Sequence, residues 1–434
     1  MLLDKEAQLT QNSFYEASVT RPATLPPLGG RIAADICIVG AGLAGLSAAL
    51  ELRAKGYSVV VLEAKTAGWG ASGRNGGQAI VGYASDEAIE SQFTPEDCRR
   101  AWNITVEALQ LIRQRIDEHA IDCDFVSGYM SVALNEKKGR QLAQTTIDLQ
   151  RRYGYEMQAI APKDIKNWIA SERFHSGAFD PQSGHLHPLK YCLGLAAAAR
   201  ASGVQIFEDS PVVELVRGAK PVVKTAQGEV ACDFVVLAGN VYLDAYSKAK
   251  AVAPELNKRI MPVGTYIVAT EPMGKERADA LIRQRSAVCD TNFVLDYFRP
   301  TADYRMLFGG RVSYSAATPF NLIASMRKRM LDVFPQLSDL EVPYAWGGFV
   351  DITMNRGPDF GRLGSNVYYL QGFSGHGLAL TGMAGKLVAE SIAGQAERFD
   401  LLANIKHHPF PGGPLMRTPA LVLGMLYYQI KDLL

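Results

Sequence analysis

Asp35-Ile36-Cys37-Ile38-Val39-Gly40-Ala41-Gly42-Leu43-Ala44-Gly45 joins a short apolar run to a G-x-G-x-x-G motif. A helical pattern from Leu46 to Lys55 follows, and a second apolar run, from Ser58 to Leu62, ends at Glu63. A glycine motif between a strand and a helix, with an acid at the end of the next strand, is typical of a dinucleotide-binding βαβ unit. The sequence therefore predicts a Rossmann-type fold that begins at Asp35.

The glycines of this motif are expected to have separate roles. Gly40 permits a tight turn, Gly42 lets the backbone approach a pyrophosphate, and Gly45 lets the helix pack closely on the strand. Free N–H groups at the start of the helix then bind the phosphates. A carboxylate at the end of the second strand binds ribose hydroxyls and disfavours a 2′-phosphate, which indicates an ADP-type dinucleotide. The expected contact residues are Gly40, Gly42, Ala44, Gly45, Glu63 and Ala64.

A second glycine-rich segment, Gly70-Ala71-Ser72-Gly73-Arg74-Asn75-Gly76-Gly77-Gln78, follows the ribose-binding acid. An NAD-dependent dehydrogenase has no need of such a segment, whereas a flavin ring requires backbone to pass close to it. A flexible surface loop is the alternative that the serine and glycine content allows. The position in the chain favours a flavin, and the expected contacts come from Gly70, Ala71, Ser72, Arg74, Asn75, Gly76, Gly77 and Gln78.

The bulk composition excludes several classes of function. The chain has 434 residues, enough for two or three domains, and its net charge of +1 lacks the basic excess of a nucleic-acid-binding protein. The six cysteines are scattered, without a C-x-x-C pair or histidines at ligand spacing, so we expect no metal site and a reducing, cytoplasmic compartment. Cys37 and Cys232 lie in or beside predicted buried strands and are expected to be small core residues.

Neither end of the chain has the pattern of a targeting segment or a membrane span. Residues 1–24 are polar and contain Asp4 and Glu6, unlike a secretory signal. The apolar tail from Pro419 to Tyr428 is too short to cross a bilayer and contains Gly424. We expect this tail to be a closing helix packed on its domain, with peripheral membrane attachment as the alternative.

The pattern along the chain alternates between two types of segment. Sequence patterns typical of a dinucleotide-binding domain occur in three separate parts of the chain. The segments between them include a region of antiparallel, aromatic-rich strands. We therefore expect an α/β fold, with a Rossmann-type domain built from discontinuous segments and an α+β substrate domain with a mainly antiparallel sheet. The first domain is assigned to residues 30–85, 160–255 and 350–434, the second to 86–159 and 256–349, and an N-terminal extension to 1–29.

Local patterns predict the individual helices and strands. Thr94-Pro95 begins a helix that runs towards His119, because threonine caps helices and proline is favoured at the first position. His187-Pro188 begins another helix. Other predicted helices are 136–153, 325–334 and 378–392, and the predicted strands include 127–134, 204–207, 212–216, 234–237, 266–269, 292–298, 305–309 and 368–370. Small residues suit a chain that passes over a bound nucleotide, so the expected contacts also include Val213, Ala238 and Gly239.

Together these motifs resemble the FAD-dependent oxidases and dehydrogenases related to D-amino-acid, glycine and sarcosine oxidases. The resemblance covers nearly the whole chain from Asp35 onwards and includes a further loop, Gly372-Phe373-Ser374-Gly375-His376-Gly377, before the last predicted helix. It implies FAD as the cofactor. The resemblance further implies that FAD is contacted by Gly372, Phe373, Gly375, His376, Gly377 and Leu378.

The resemblance also implies that FAD is bound non-covalently. Some relatives tether FAD through a histidine in the first loop, but the corresponding position here is Arg74-Asn75. Others use a cysteine late in the chain, and no cysteine follows Cys289.

Within that family the chain is most similar to the γ-glutamylputrescine oxidoreductase branch. The phrases that carry this similarity are Ser72–Gln78, Asp296-Tyr297-Phe298-Arg299-Pro300, Trp346–Asp351, Arg356–Gly361 and Pro409–Gly413.

One departure from the family pattern bears on the substrate. In the amino-acid-oxidising relatives, a phrase of the form Trp-x-Gly-Leu-Arg-Pro-x-Thr precedes the last glycine loop, and its arginine binds the substrate α-carboxylate. The matching stretch here is Trp346-Gly347-Gly348-Phe349-Val350-Asp351-Ile352-Thr353, with Val350 in place of that arginine. Because a buried carboxylate needs a charged partner, Val350 favours an amine such as a polyamine. The alternative is an arginine from elsewhere, such as Arg299 or Arg356.

The candidate substrate residues have ordinary structural alternatives. Tyr297, Tyr266 and Trp346 are candidates for an apolar cage around the amine chain, although aromatic residues on alternating strands also form core. Arg299 is a candidate partner for a distal carboxylate such as that of a γ-glutamyl group, with a solvated surface arginine as the alternative. His376 either supports negative charge that develops on the reduced flavin or is a structural, hydrogen-bonded histidine.

These observations predict an FAD-dependent amine oxidase or dehydrogenase. Hydride transfer to flavin N5 would give an imine that hydrolyses to an aldehyde and ammonia. The expected substrate is γ-glutamylputrescine or a related polyamine, and molecular oxygen is the expected acceptor. The alternatives are oxidation of a secondary amine or amino acid of the sarcosine, proline or D-amino-acid type, and a non-catalytic flavin electron-transfer or assembly subunit. The sequence leaves monomer and dimer open.

Overall fold

The computed structural model describes residues 12–247, 251–292, 294–313 and 321–411. The tail that begins at Pro419, for which we expect a closing helix, lies outside the described residues. The strands are β1 Gly30–Ala33, β2 Ile36–Val39, β3 Val59–Leu62, β4 Gln78–Ala79, β5 Val126–Ala133, β6 Gln158–Ile160, β7 Ser176–His185, β8 Gln205–Phe207, β9 Glu214–Val216, β10 Val222–Lys224, β11 Gly228–Ala231, β12 Phe234–Leu237, β13 Met261–Ala269, β14 Ala287–Asp290, β15 Tyr297–Pro300, β16 Met306–Ser313, β17 Tyr344–Ile352, β18 Asp359–Arg362 and β19 Val367–Gln371.

Eleven α-helices accompany these strands in the described residues. They are α1 Phe14–Ala17, α2 Leu43–Ala54, α3 Glu87–Glu90, α4 Pro95–Glu118, α5 Glu136–Tyr153, α6 Pro188–Ala201, α7 Pro254–Asn257, α8 Lys275–Leu281, α9 Leu322–Val333, α10 Leu378–Ile392 and α11 Glu397–Ala403. Within the same ranges, no helix combines the length and the apolar character that crossing a membrane requires.

A six-stranded sheet forms the Rossmann-type half of the molecule. Its strand order is β18-β19-β12-β2-β3-β8, and all neighbours are parallel except β18 and β19. Strands β2 and β3 are buried along their whole length, as parallel strands covered on both faces must be. The carboxyl ends of β2, β3 and β12 therefore lie side by side at one edge of the sheet. The predicted α/β class is confirmed.

A nine-stranded sheet forms the second half. Its order is β17-β13-β16-β15-β14-β5-β7-β4, with β6 beside β7, and only the β14–β5 pair is parallel. Strands β13 and β17 pair along nine residues, Met261–Ala269 against Tyr344–Ile352. A smaller sheet, β1-β11-β10-β9, pairs the N-terminal strand β1 in parallel with β11.

Helix α10 packs directly on α2 because glycine removes the side chain between them. A Cβ atom on Gly385 would lie 2.5 Å from the amide nitrogen of Ala48 and 2.6 Å from the carbonyl oxygen of Ala44. One turn earlier, the hydroxyl of Ser47 donates to the carbonyl oxygen of Gly382. Both helices pack in one core with β2 and β3.

Two segments depart from the predicted division of the chain. Helix α4 was expected in the substrate domain, but its apolar face packs in the same core as α2 and α10. Strand β7 was expected in the Rossmann-type domain, but it pairs with β5 and β4 in the nine-stranded sheet. The local pattern predicts that a helix or strand forms but does not say which partner it joins. The chain therefore crosses between the two halves more often than its pattern indicates.

The predicted strand at 292–298 is wrong. The structure has two shorter strands, β14 and β15, joined by a turn in which the amide of Asp290 donates to the carbonyl oxygen of Asp296 (2.9 Å). The Asp290 carboxylate accepts from the amide of Asn292 (3.0 Å), which holds the turn. Smaller shifts occur elsewhere: α2 begins at Leu43 rather than Leu46, and the strand predicted at 212–216 is confined to β9.

The N-terminal extension is packed onto the body of the protein. Helix α1 buries Phe14 and Tyr15. Farther along, the amide of Leu25 donates to the buried carboxylate of Glu208 (2.8 Å), which also accepts from the amide of Ala67 (2.7 Å). Through Glu208, the extension is therefore fixed to the segment between β3 and the second glycine-rich segment, Gly70–Gln78.

Replacing the contact glycine of α10 tests this packing. We expect Gly385→Ala to lower the free energy of unfolding by about 1–3 kcal/mol, because even a methyl group forces α2 and α10 apart. Gly382→Ala on the same helix is the matched control, since its Cβ would meet only the guanidinium of Arg115 at 3.4 Å. Gly382→Ala should be neutral or stabilising because alanine favours the helix. Equal shifts of the unfolding midpoint in the two variants would contradict the packing argument.

Candidate active site

The turn between β2 and α2 brings two pieces of backbone as close as glycine allows. Gly40 has φ of +107°, and a Cβ atom there would lie 2.7 Å from the carbonyl oxygen of Ala238. A Cβ atom on Gly45 would lie 2.0 Å from the carbonyl oxygen of Gly40. Both positions therefore exclude every side chain. Gly40 and Gly45 shape the turn and the helix packing, while their contact with a dinucleotide stays a prediction.

Helix α2 begins without a cap from its own N-cap residue, Gly42. Instead, the hydroxyl of Ser72 in the second glycine loop accepts from the amide of Leu43 (3.0 Å). A Cβ atom on Gly42 would lie 2.7 Å from the same hydroxyl oxygen. A polar oxygen is therefore held at the helix start, where the N–H groups and the positive end of the helix dipole favour an anion.

Glu63 connects the end of β3 to the glycine turn. One carboxylate oxygen accepts from the amide of Ala41 (2.8 Å) and the other from the amide of Lys65 (2.9 Å). Burial raises the pKa of Glu63, and these hydrogen bonds oppose the shift. The carboxylate is thus fixed in orientation, and its remaining lone pairs can accept from hydroxyl donors such as those of a ribose.

A crevice opens where the strands of the six-stranded sheet end. Residues predicted from the sequence line it: Gly40, Gly42, Glu63, Ala64, Gly70, Ala71, Ser72, Ala238 and Gly239. It is also lined by Val39, Leu62, Gly68, Trp69, Val212, Asn240, Tyr242, Leu243 and Tyr246, which were not among the predicted site residues. Val212 lines the crevice where Val213 was predicted. The amide of Val213 donates instead to the carbonyl oxygen of Lys224 (2.8 Å).

Aromatic residues form one wall of this crevice. The rings of Trp69 and Tyr242 meet edge to face with centroids 5.6 Å apart. The guanidinium of Arg74 lies 4.4 Å from the centroid of the Trp69 ring. Trp69 immediately precedes the second glycine loop, and this adjacency was the available signal for it in the sequence. Tyr242 lies beyond β12, and only the folded structure brings it to Trp69.

The second glycine loop is fastened by its own side chains. The Asn75 amide group donates to the carbonyl oxygens of Ala71 (3.0 Å) and Ser72 (3.1 Å), and its oxygen accepts from the amide of Gly77 (2.8 Å). The side chain of Gln78 donates to the carbonyl oxygen of Val288 in β14 (3.1 Å). The loop is therefore an ordered turn rather than the flexible surface loop that the sequence left open, and it joins the two halves of the molecule.

Arg299 is buried against this loop. Its Nε donates to the carbonyl oxygen of Gly76 (2.8 Å), and one Nη donates to the carbonyl oxygen of Leu186 (3.0 Å) and the hydroxyl of Tyr15 (3.1 Å). A Cβ atom on Gly77 would lie 2.7 Å from that Nη. Only 3% of Arg299 is exposed, so it is not the solvated surface arginine that the sequence left open.

Two of the predicted aromatic residues contact the second loop, and the third belongs to a buried cluster beside Tyr242. The indole N–H of Trp346 donates to the carbonyl oxygen of Arg74 (3.0 Å). A Cβ atom on Gly76 would lie 2.7 Å from the ring of Tyr297. Tyr266 belongs instead to a fully buried cluster with Phe349. Tyr266 is therefore packed as core, whereas Trp346 and Tyr297 support the loop.

Val350 lies on the face of β17 that contains Trp346 and Gly348, because side chains alternate along a strand. That face is directed at the second loop, since a Cβ atom on Gly348 would lie 3.9 Å from the side chain of Arg74. Val350 pairs with Val263 of β13 and is partly buried. An uncharged side chain therefore lies at the position where the family pattern has an arginine.

The carboxylate and the main-chain carbonyl of Asp351 hold the last glycine loop, Gly372–Gly377, in place. Its carboxylate accepts from the amides of Gly372 and Phe373, the latter at 3.3 Å, and its carbonyl oxygen accepts from the amide of Ser374 (3.0 Å). Burial raises the pKa of Asp351 to about 7. A Cβ atom on Gly375 would meet no atom within 4 Å, so the outer side of the loop is open. No local pattern indicates this role of Asp351, because its partners are backbone amides about twenty residues farther along the chain.

His376 is partly buried and neutral at physiological pH. One ring nitrogen, Nε2, lies 3.1 Å from the carbonyl oxygen of Val81, so Nε2 must carry the proton. Burial lowers the pKa of His376 to about 4, and the nearby charge of Arg356 acts in the same direction. This geometry supports the structural role among the two predicted for His376. Any stabilisation of negative charge here comes from the backbone at the start of α10 rather than from a charged imidazole.

The residues around the crevice and the two loops fit FAD. The start of α2, where only the Ser72 hydroxyl accepts from the Leu43 amide, offers further N–H donors for a diphosphate, and Glu63 offers acceptors for a ribose. The open side of Gly375 and the start of α10 offer unobstructed backbone for a flat ring system. Each half of the cofactor therefore has a matching set of groups.

Comparisons with known proteins agree with this geometry. Residues 35–391 match the family model DAO, described as FAD dependent oxidoreductase. The chain is 42% identical over 424 residues to the probable oxidoreductase OrdL of Haemophilus influenzae, covering 97% of each protein. It is 40% identical over 422 residues to the γ-glutamylputrescine oxidoreductase of Escherichia coli K12, covering 97% of this chain and 98% of that protein.

The fold also matches solved structures. The glycine oxidase of Bacillus cereus superposes with a TM-score of 0.71 at 21% identity, covering 86% of this chain and 99% of the other. This likeness shows that the two chains share a fold.

The raised pKa of Asp351 predicts a pH dependence of stability. Its carboxyl group has a pKa of about 7 when folded, above the ordinary value of 3.8, so the unfolded chain releases this proton more readily. Stability should therefore fall as the pH rises from about 4 to about 7, at about 1.4 kcal/mol for each unit of pKa shift. Asp351→Asn keeps the acceptor oxygen and should remove this component of the slope.

The thermal unfolding midpoint, measured from pH 4 to pH 8, checks this expectation. Asp117→Asn, at an exposed position of α4, is the control and should retain the wild-type slope. Parallel profiles for the wild type and Asp351→Asn would contradict the expectation.

Proposed function

The chain belongs to the DAO family of FAD-dependent oxidoreductases, and from this membership we propose that it oxidises the carbon–nitrogen bond of an amine. The proposed substrate is γ-glutamylputrescine or a related polyamine, and the proposed acceptor of the electrons is molecular oxygen. The products are an aldehyde, ammonia and hydrogen peroxide.

Similarity along the whole chain is the observation that carries this proposal. The γ-glutamylputrescine oxidoreductase of Escherichia coli K12 is 40% identical over 422 residues, which are 97% of this chain and 98% of that protein. The structural likeness to glycine oxidase supports the fold only. The substrate therefore has to be argued from the side chains around the loops.

The uncharged Val350 favours a substrate without an α-carboxylate. A buried carboxylate requires a charged and preferably bidentate partner, and Val350 lies on the face of β17 that is directed at the second loop. Arg299 already donates to Gly76, Leu186, Tyr15 and His185, so it has little capacity left for a substrate. An amine carbon with only hydrogen and alkyl neighbours fits these surroundings.

The chain holds the cofactor by residues at three places. We assign the diphosphate to the start of α2 with Ser72, the ribose to Glu63, and the flavin ring to the Gly70–Gln78 loop and the Gly372–Gly377 loop. FAD, when bound, supplies the acceptor for the hydride of the amine C–H bond, and water then hydrolyses the imine to the aldehyde and ammonia. The protein positions the amine carbon and excludes water from the reacting atoms.

The side chains near the last loop suit a neutral amine. His376 is uncharged above a pH of about 4, so it adds no positive charge that would repel a protonated amine on approach. Asp351 faces the amides of Gly372 and Phe373, and it keeps the loop in place without reaching its open side. The positive end of the helix dipole at the start of α10 stabilises negative charge that develops on this end of the cofactor when it is reduced.

An anaerobic panel of amines tests the proposed function. We expect γ-glutamylputrescine, and more weakly putrescine, to abolish the absorbance of the oxidised flavin, with aldehyde and peroxide formed once oxygen is admitted. Sarcosine, proline and D-alanine serve as the comparison substrates. Bleaching by these α-amino acids alone would overturn the polyamine assignment. A bound flavin that no amine bleaches would indicate the electron-transfer alternative.

A charge introduced at Val350 tests its place in the substrate site. We expect Val350→Arg to lower kcat/KM for γ-glutamylputrescine at least about tenfold, because a cation in a poorly solvated site repels the amine substrate. Val350→Met is the matched control, since methionine is similar in length to arginine but uncharged. The kcat/KM of this variant should change by less than about threefold. Equal losses in the two variants would show a steric effect and contradict the proposed role of charge.

A further inference from the structure

Arg299 carries a buried charge for which the described residues supply no counter-ion. The residue is 3% exposed. Its hydrogen bonds run to two carbonyl oxygens, the hydroxyl of Tyr15 and the ring of His185, and no carboxylate lies within 4.0 Å across residues 12–247, 251–292, 294–313 and 321–411. A buried charge is normally paired with an opposite charge, because desolvation otherwise opposes it strongly.

The neighbours of Arg299 are held in their neutral forms. Nη1 of Arg299 lies 3.3 Å from Nδ1 of His185, and an arginine can only donate, so Nδ1 accepts. Nε2 of His185 then donates to the carbonyl oxygen of Arg285 (2.8 Å). Both ring positions are therefore assigned to the neutral imidazole. Burial raises the pKa of Tyr15, so its hydroxyl is neutral as well. Arg299, His185 and Tyr15 together therefore have a net charge of +1.

This charge lies directly behind the second glycine loop. The Nε of Arg299 is 2.8 Å from the carbonyl oxygen of Gly76, and a Cβ atom on Gly77 would lie 2.7 Å from Nη2. The ring of Tyr297 packs on the same glycine, Gly76. No water layer or flexible side chain separates the guanidinium from the loop backbone, so its field reaches whatever lies on the loop's other side with little screening.

We propose that Arg299 is a positioning residue for the flavin, and that its unpaired charge raises the reduction potential of the bound FAD. The guanidinium fixes the carbonyl of Gly76, and its charge favours the reduced cofactor, which carries more negative charge than the oxidised form. The proposal rests on the assignment of the flavin ring to the Gly70–Gln78 loop under the proposed function.

Neutralising Arg299 in the FAD-bound protein tests the electrostatic part. Sulfite adds to flavins as an anion, so its affinity reports positive charge near the ring without any catalytic turnover. We expect Arg299→Met to weaken sulfite binding about tenfold, which for a two-electron couple corresponds to a potential lower by about 30 mV. Arg299→Lys keeps the charge but loses donors, so its sulfite affinity should stay within about threefold of wild type while FAD binds more weakly.

The matched control for these variants is Arg277→Met. Arg277, in α8, forms an ion pair with Asp339 at the protein surface, and removing it should change neither sulfite affinity nor potential. A purely structural role of Arg299 predicts equal effects of the Met and Lys variants on FAD retention and no change in potential. That result, or a wild-type potential in Arg299→Met, would overturn the proposal.

A second pair of variants keeps the test decisive if Arg299→Met does not fold. His185→Glu places a carboxylate beside the intact guanidinium, whereas His185→Gln leaves the cluster neutral at that position. We expect the Glu variant to bind sulfite more weakly and to have a lower potential than the Gln variant. Identical values would overturn the proposal. The amine panel fails or succeeds separately, because sulfite binding and potential do not depend on which amine is oxidised.

Discussion

The tight packing of the glycine turn, at Gly40 and Gly45, determines where the other residues of the site can lie. A Cβ atom at Gly45 would lie 2.0 Å from the carbonyl oxygen of Gly40, and one at Gly40 would lie 2.7 Å from that of Ala238. Two segments that are far apart in the chain, the Gly40–Gly45 turn and the end of β12 at Ala238, therefore meet at one point of the sheet edge. That meeting brings the start of α2, Glu63 and the end of β12 to a single crevice.

The second constraint is that ionisable side chains near the loops are held by backbone groups rather than by opposite charges. Arg299 donates to the carbonyls of Gly76 and Leu186, Asp351 accepts from the amides of Gly372 and Phe373, and Glu63 accepts from the amide of Ala41. Hydrogen bonds from charged groups to backbone are strong and directional. Each glycine loop is consequently anchored by one ionisable side chain from a different strand or loop.

Local sequence predicted the parts of this arrangement that local chemistry determines. The glycine motif, the acid at Glu63 and the small residues at Ala238 and Gly239 all lie along the crevice, because each follows directly from a strand that ends there. The second loop was also recognised, and it is an ordered turn, since its own Asn75 ties it together. The family and the cofactor were recognised for the same reason, as their motifs are contiguous in the chain.

The remaining features depend on which distant segments meet, and no local pattern carries that information. Tyr15 reaches Arg299 across 284 positions, and Trp346 reaches Arg74 across 272. Helix α4 and strand β7 show this limit, because each has an ordinary local pattern that does not indicate the core or the sheet that it joins. Tyr266 shows the same limit, since alternation along β13 is visible in the sequence but the partner of each face is not.

The distribution of charge around the loops gives the site a consistent electrostatic character. His185 is buried and His376 is partly buried, and desolvation lowers the pKa of both. Each also has a ring nitrogen that donates to a carbonyl oxygen, so both are neutral. Val350 adds no charge on the face of β17 that is directed at the second loop. The permanent positive charge of Arg299 lies directly behind the second loop, on which we propose that the flavin ring lies. This arrangement is consistent with the proposed oxidation of an amine that has no carboxylate beside the reacting carbon.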